Sequence, residues 1–387
     1  RPWARRTPAP ARPGRSSWTP AMRGAAATRV LALAVGAACV AADALEGSAG
    51  ASGLASGSTG ASASATNRVM NVTEASVYND VGFWALAGDV LLMYNGASGI
   101  LTSRDFGGLG GSAEEIGAGL PLPQHLKIHC MNAEKALSVD GSQLHLWSLD
   151  EKGEHKVIAL EEKAHVWSAM ISGNSQWACV RYTLPSKDVM FRMVDAETGE
   201  AKTEQGVLLA QDMDLGAMAL SDDGSVLWVV VNGRLQVKSA SDGQLLEDMD
   251  RTNVREVACS PTGDYVVTVA EGRLATYNAK TRALVKEHTP SGIWAMPAVY
   301  GLFPRLDFSG DGKYAVMLRE SEEHGSVIQV WNFQEEKFED EIRGLDREPD
   351  YPTINSQNVG RLAVSGGGNF VFAGTVSTVY VWNRKPM

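Results

Sequence analysis

The pentapeptide IQVWN, residues 328–332, mixes apolar and polar side chains in strand-like alternation and closes on an aromatic followed by an amide. A period of two is the pattern of a β-strand with one face buried. The phrase recurs along the chain. Near copies are LLMYN (91–95), LHLWS (144–148), FRMVD (191–195), LQVKS (235–239), LATYN (274–278) and VYVWN (379–383), which makes seven in all. Their penultimate residues are Tyr94, Trp147, Val194, Lys238, Tyr277, Trp331 and Trp382, at intervals of 53, 47, 44, 39, 54 and 51 residues. A period of that size marks a repeat architecture in which each unit is one supersecondary module.

Working outward, a second phrase precedes most copies: MALSDDGSVLWVV from 218, VACSPTGDYVVTV from 257, LDFSGDGKYAVML from 306 and LAVSGGGNFVFAG from 362. Each reads as a strand, a tight turn whose Gly or Asp supplies positive φ, and a second strand. A third turn follows the pentapeptide, as in NGASG (95–99), DAETG (195–199) and SASDG (239–243), and a further apolar run follows most of these. Each unit thus holds four short antiparallel strands, a to d from the inside out. Seven such sheets set radially form an all-β, seven-bladed β-propeller, which leaves only short, protected strand edges. The expected blades begin near Asn71, Leu126, Val166, Leu215, Val254, Pro304 and Val359.

On these motifs residues 69–387 resemble the broad WD40-like and YVTN or quinoprotein-like propeller group. The resemblance implies architecture more than function. WD40 repeats carry a Gly-His pair before each blade and Trp-Asp at the end of strand c. Here Trp331 and Trp382 precede Asn, and Trp147 precedes Ser. Quinoproteins place a Trp near the Thr-Gly turn, whereas Gly199 leads into EAKTEQ, so no quinone and no other cofactor is expected. The last blade reaches Met387 with strands a to c only. Its outer strand is expected from about residues 61–70 or from a continuation of the chain.

Residues 1–44 read as a targeting segment. Met22 opens MRGAAATRVLALAVGAACVAADA, in which arginines precede a short apolar run and small residues, the plan of a secretory signal peptide. The stretch before Met22 reads as upstream translation. Its Arg-rich, acid-free character also suits an organelle transit peptide for a mitochondrion or plastid. Residues 45–68 are a Gly/Ser/Ala-rich linker. The apolar run of about thirteen residues is too short to span a bilayer, so no membrane insertion is expected after cleavage, in the ER lumen or outside the cell. The formal charge is −10, and removing the seven arginines of the first forty-two residues, which hold no acid, leaves −17. A body so acidic disfavours nucleic acid as a partner.

Several residues invite chemistry. Cys130, Cys179 and Cys259 are an odd set without metal spacing, and two of them fill a repeated slot at the end of strand a, so they read as small buried hydrophobes. The seven His show no paired-ligand spacing. SDDG at 221 and SGDG at 309 lack the distant Glu of a calcium loop and read as turns. The glycines of GLGGSA (108–113) precede no helix that would hold a pyrophosphate. Asn71-Val72-Thr73 is a glycosylation sequon. No catalytic or metal residue is assigned.

The longer connections fall at d to a (107–124, 289–303, 343–358) and b to c (182–188, 319–326), which a propeller places on one face. Insertions in repeat proteins concentrate on the binding face. The stretch SGIWAMPAVYGLFP carries Trp294, Met296, Tyr300 and Phe303, the residue types that anchor interfaces. Beside it EEKFEDEIRGLDREPD, with Glu348 and Asp350, would steer a basic partner. The sequence therefore points to a non-enzymatic scaffold that binds a protein through this face. The alternative is a propeller hydrolase or lactonase with a metal or carboxylate site in the channel.

Overall fold

A computed structural model describes residues 68–71, 74–107, 114–115, 120–149, 153–203, 205–211, 215–271, 273–288, 306–321, 325–345, 361–375 and 377–384. They form seven sheets, antiparallel except for one added parallel strand, and, among the described residues, no α-helix. Five blades run in simple chain order. Blade 2 spans Ile128–Met131, Lys135–Asp140, Gln143–Ser148 and His155–Ala159. Blade 3 spans His165–Ile171, Trp177–Thr183, Val189–Asp195 and Val207–Ala210. Blade 4 holds Leu215–Leu220, Val226–Val231, Arg234–Ser239 and Leu245–Asp248, and blade 5 holds Val254–Cys259, Tyr265–Ala270, Arg273–Asn278 and Leu284–His288. Blade 6 holds Leu306–Phe308, Tyr314–Ser321, Gly325–Asn332 and Lys337–Arg343. The a strands of neighbouring blades adjoin all round the ring, so they wall the axis.

The recurring serine and amide have local jobs. After strand a, the hydroxyls of Ser172, Ser221, Ser260, Ser309 and Ser365 accept the N–H five residues on, from Trp177, Val226, Tyr265, Tyr314 and Phe370, at 2.9–3.1 Å. Asp223 and Asp311 in turn accept the hydroxyl protons of Ser221 and Ser309 at 2.7 and 2.6 Å, which makes SDDG and SGDG self-satisfied turns. In four of these turns the third residue after the serine has φ near +70°, and it is glycine, Gly224, Gly263, Gly312 or Gly368, because a Cβ disfavours that region. The last residue of the pentapeptide caps the following turn. Asp195, Asn278 and Asn332 each accept two backbone N–H groups through Oδ1 at 2.7–3.0 Å.

In five blades, all but 1 and 4, the penultimate residue of the phrase wedges the blade against the one before it. Tyr277 packs on blade 4, Trp331 on blade 5 and Trp382 on blade 6, at 5, 3 and 0 % exposure, and Val194 fills the same place against blade 2. Truncating such a buried aromatic costs about 3–5 kcal/mol. These wedges make the core a ring of inter-blade clusters, with the weight of packing between sheets.

Two expectations are corrected here. LLMYN is the second strand of blade 1: its sheet runs Phe83–Ala87, Val90–Asn95 and Ile100–Asp105, with a broken outer strand at Glu114–Glu115 and Leu120–Pro121. Tyr94 accordingly faces forward into blade 2, donates its hydroxyl to Pro123 O at 2.6 Å and accepts Leu126 N at 3.1 Å. Closure also differs in its residues. The segment before blade 1 does close the ring, yet the strand that completes blade 7 is β2 (Ser76–Asn79), antiparallel to Thr378–Asn383, outside Phe370–Gly374 and Arg361–Val364. Tyr78 therefore lies on the outer strand of blade 7, and blade 1 begins at Phe83, where the sequence put its start near Asn71. Within the expected 61–70 segment, β1 (Arg68–Asn71) instead adds in parallel to Lys337–Arg343 of blade 6 and buries Met70 to 1 % beside Val330 and Ile342.

The chain thus clasps two adjacent blades with consecutive strands. A buried cation reinforces the clasp. Arg384, just past the last strand, bonds Asp340, the Gly368 carbonyl and Glu339 (2.6 Å), and its guanidinium lies 4.5 Å over Tyr314. A charge so enclosed is stable only when its donors are paired as they are here.

Candidate functional site

Antiparallel strands put the a–b and c–d connections on one face and the b–c and d–a connections on the other. The d–a connections after His288 and Leu345 re-enter at Leu306 and Arg361, the first residues of strand a in blades 6 and 7. His288, Leu345, Leu306 and Arg361 therefore stand at the b–c face. Residues 182–188 form a compact b–c turn closed by Leu184 N to Asp188 O and Ser186 Oγ to Asp188 Oδ2 at 2.6 Å. Residues 319–326 are mostly hairpin, with Arg319 opposite Val327 and Ser321 opposite Gly325.

The fifth excursion is a correction. Because blade 1 is shifted by one strand, residues 107–124 include its outer strand, and Phe106 and Gly107, where the excursion starts, stand at the tight-turn face. Phe106 N donates to Asp89 O of the a–b turn at 2.9 Å. The described ends of four of the five excursions share a face. Trp294, Met296, Tyr300, Phe303, Glu348 and Asp350 lie outside the described residues. Asn71 is the last residue of β1, opposite Arg343.

The axis holds polar groups that the sequence reading passed over. Leu306 and Phe308 pack on blade 5, so Asp307 between them points toward blade 7. Its Oδ1 accepts the Phe308 N–H at 2.9 Å. Burial pushes the carboxyl up to about 6, against the opposing pull of Arg361. Arg361 starts strand a of blade 7, donates from an Nη to Trp84 O at 2.9 Å, and lies 5.5 Å from the ring centres of both Phe83 and Trp84. Its Nε is buried without a partner among the described residues. On blade 2, burial assisted by Lys127 and His165 holds His129 down to about 4, which keeps it neutral at pH 7. Among the described residues no three His, Cys, Asp or Glu side chains converge as a metal cage.

A signal for Asp307 existed. Two residues before the turn serine, the other four blades that have one carry Met170, Ala219, Ala258 and Ala363, and only blade 6 carries a charge. The cysteines behave as small apolar groups. Among the described residues all three are free thiols, and burial pushes Cys179 and Cys259 up to about 12 and raises Cys130 as well.

No protein-family model matches the chain, and no curated protein matches it. Among solved structures the chain is similar to the β-propeller domain of Cps50 (Swd1) from Myceliophteria thermophila. The TM-score is 0.54 at 13 % identity, over 80 % of this chain and 98 % of that one. At that identity the likeness concerns the fold, and in fold this chain is a seven-bladed β-propeller.

Proposed function

We propose that the chain is a non-enzymatic scaffold that holds a protein partner on its b–c and d–a face and enters the secretory pathway. The observation that carries the reading is the contrast between the two faces. The tight-turn face is made largely of serine-capped turns that bond one another across blades, as Asp311 N does to Gly366 O and Gly366 N to Gly88 O. The opposite face carries the described ends of the d–a connections after His288 and Leu345, beside the b–c turns at 182–188 and 319–326. Rigid sheets presenting variable connections is the way repeat folds recognise proteins. In this reading Trp294 and Tyr300 supply buried anchors, Met296 and Phe303 extend them, and Glu348 and Asp350 bias the partner toward basic surfaces.

The test is a pull-down from secretory-pathway extract with wild type and Trp294→Ala/Tyr300→Ala. The variant is expected to lose its partners and keep its melting curve; retained partners would refute the assignment. Mass spectrometry of the mature protein is expected to find a first residue near Asp43 or Leu45. A second reading, hydrolysis in the channel, draws on the Asp307–Arg361 pair and the neutral His129. Its sign would be a stoichiometric metal in purified protein, or turnover of esters or lactones that Asp307→Asn abolishes.

A further inference from the structure

Lys238 occupies the penultimate position of the repeated phrase in blade 4. Blades 2, 3, 5, 6 and 7 fill that place with Trp147, Val194, Tyr277, Trp331 and Trp382, which pack against the preceding blade. Lysine cannot supply the same apolar wedge. Between blades 3 and 4 there is instead an open cleft of about 630 Å³, lined by Leu208, Leu209, Ala210, Val231, Asn232 and Lys238. Asn232 belongs to the b–c turn of blade 4, so the cleft opens at the margin of the long-connection face.

The cleft mixes leucine, alanine and valine side chains with the polar Gln211 and Asn232, exposes more polar than apolar surface, and holds one cationic group. Leu208 on its wall is 46 % exposed, and Leu245, opposite Lys238 in the strand register, is 52 % exposed. The Lys238 ammonium donates to Leu209 O at 2.7 Å. An ammonium has three donors, and among the described residues its other two have no partner. Burial lowers its pKa.

We infer that this cleft is a docking groove for an acidic peptide segment, with a carboxylate on Lys238 and a neighbouring apolar side chain against Leu208 and Val231. The occupant follows from charge complementarity: a carboxylate supplies the acceptors that the two spare donors lack. The inference rests on the scaffold reading only in taking the ligand to be a protein segment.

The probes are two fluorescein-labelled peptides of about twelve residues with the same Ser and Leu content, one carrying Glu and the other Gln. Anisotropy is expected to show the Glu peptide binding wild type and the Gln peptide binding about tenfold more weakly or worse, the loss that follows from one charged hydrogen bond. Lys238→Met and Leu208→Asp are expected to weaken the Glu peptide by a similar factor, while Lys238→Arg stays within about threefold. Leu208 is exposed, so its variant keeps the fold if Lys238→Met does not. Affinity is expected to fall as the pH rises through the lowered lysine pKa and the ammonium deprotonates.

Equal binding of the two peptides, no binding of the Glu peptide at about 1 mM, or full binding by a folded Lys238→Met protein would overturn the proposal. Binding that appears only after Asp212→Asn/Asp214→Asn would also overturn it, because the chain's own acids would then be the occupant. Trp294→Ala/Tyr300→Ala is expected to keep the peptide. Loss there with retention by Lys238→Met would sink the groove and leave the face reading standing.

Discussion

Blades 6 and 1 carry the same phrase and put it to different uses. In blade 6, IQVWN is the third strand, Trp331 packs backward on blade 5, and Asn332 caps the turn into the outer strand. In blade 1, LLMYN is the second strand and Tyr94 packs forward on blade 2, yet Asn95 caps its turn through the same pair of N–H bonds, at 3.0 and 2.9 Å. Turn chemistry reaches only a few residues. Radial position is decided by which strands pair afterwards, and near the start of the chain that pairing is with the far end. Once Ser76–Asn79 completes blade 7, the next strand, Phe83–Ala87, becomes the innermost of blade 1.

The most severe way to break the comparison is to remove the clasp. Deletion through Asn79 exposes the edge of Thr378–Asn383 and leaves blade 7 with three strands, so cooperative thermal unfolding is expected to disappear. Deletion through Asn71 removes only the added parallel strand. It is expected to cost about 2–5 kcal/mol, the scale for losing a buried Met such as Met70, as read by urea denaturation. Similar losses from the two deletions would mean that β2 does not close the ring.

At the wedges, Trp382→Ala is expected to destabilise by about 3–5 kcal/mol. Tyr94→Phe, which keeps the ring and removes two hydrogen bonds to the connection ahead, is expected to cost about 1–3 kcal/mol. A Tyr94→Phe loss as large as that of Trp382→Ala would contradict the forward-facing, tethering role.

The smallest effect concerns pH. Asp307 has its carboxyl pushed up to about 6, above its ordinary value near 3.9. The folded state therefore binds the proton more tightly, and this group makes stability decline as the pH rises from about 4 to about 6. Asp307→Asn is expected to remove that part of the decline and to leave the protein at least as stable at pH 7. An unchanged slope in melting temperature over that range would place the carboxyl in water.

Much of this was legible in the sequence, and where it was not the reason is physical. Six of seven pentapeptides sit on strand c, because alternation, the Ser-capped turn and the Asn or Asp cap are all local signals. Blade 1 was misplaced because its phrase follows the same local pattern and its position depends on a pairing some 300 residues away, between Asn79 and Thr378. β1 was obscure because RVMN is too short to announce a strand and draws its stability from the edge of blade 6. Asp307 and Lys238 were visible as departures from their columns in the repeat. What each departure produces, a carboxyl held up by burial or a cleft where a wedge is missing, depends on the neighbouring blade.

The ring itself is tested most directly by a cross-link. Asn79 and Thr378 are opposed across the antiparallel pair, and the Thr378 hydroxyl donates to Asn79 Oδ1 at 3.3 Å. In Asn79→Cys/Thr378→Cys protein, mild oxidation is expected to join the two positions in one disulfide-linked peptide and to raise the melting temperature. Thiols that stay reduced in folded protein, or that pair with other cysteines, would contradict closure of the propeller by residues 76–79.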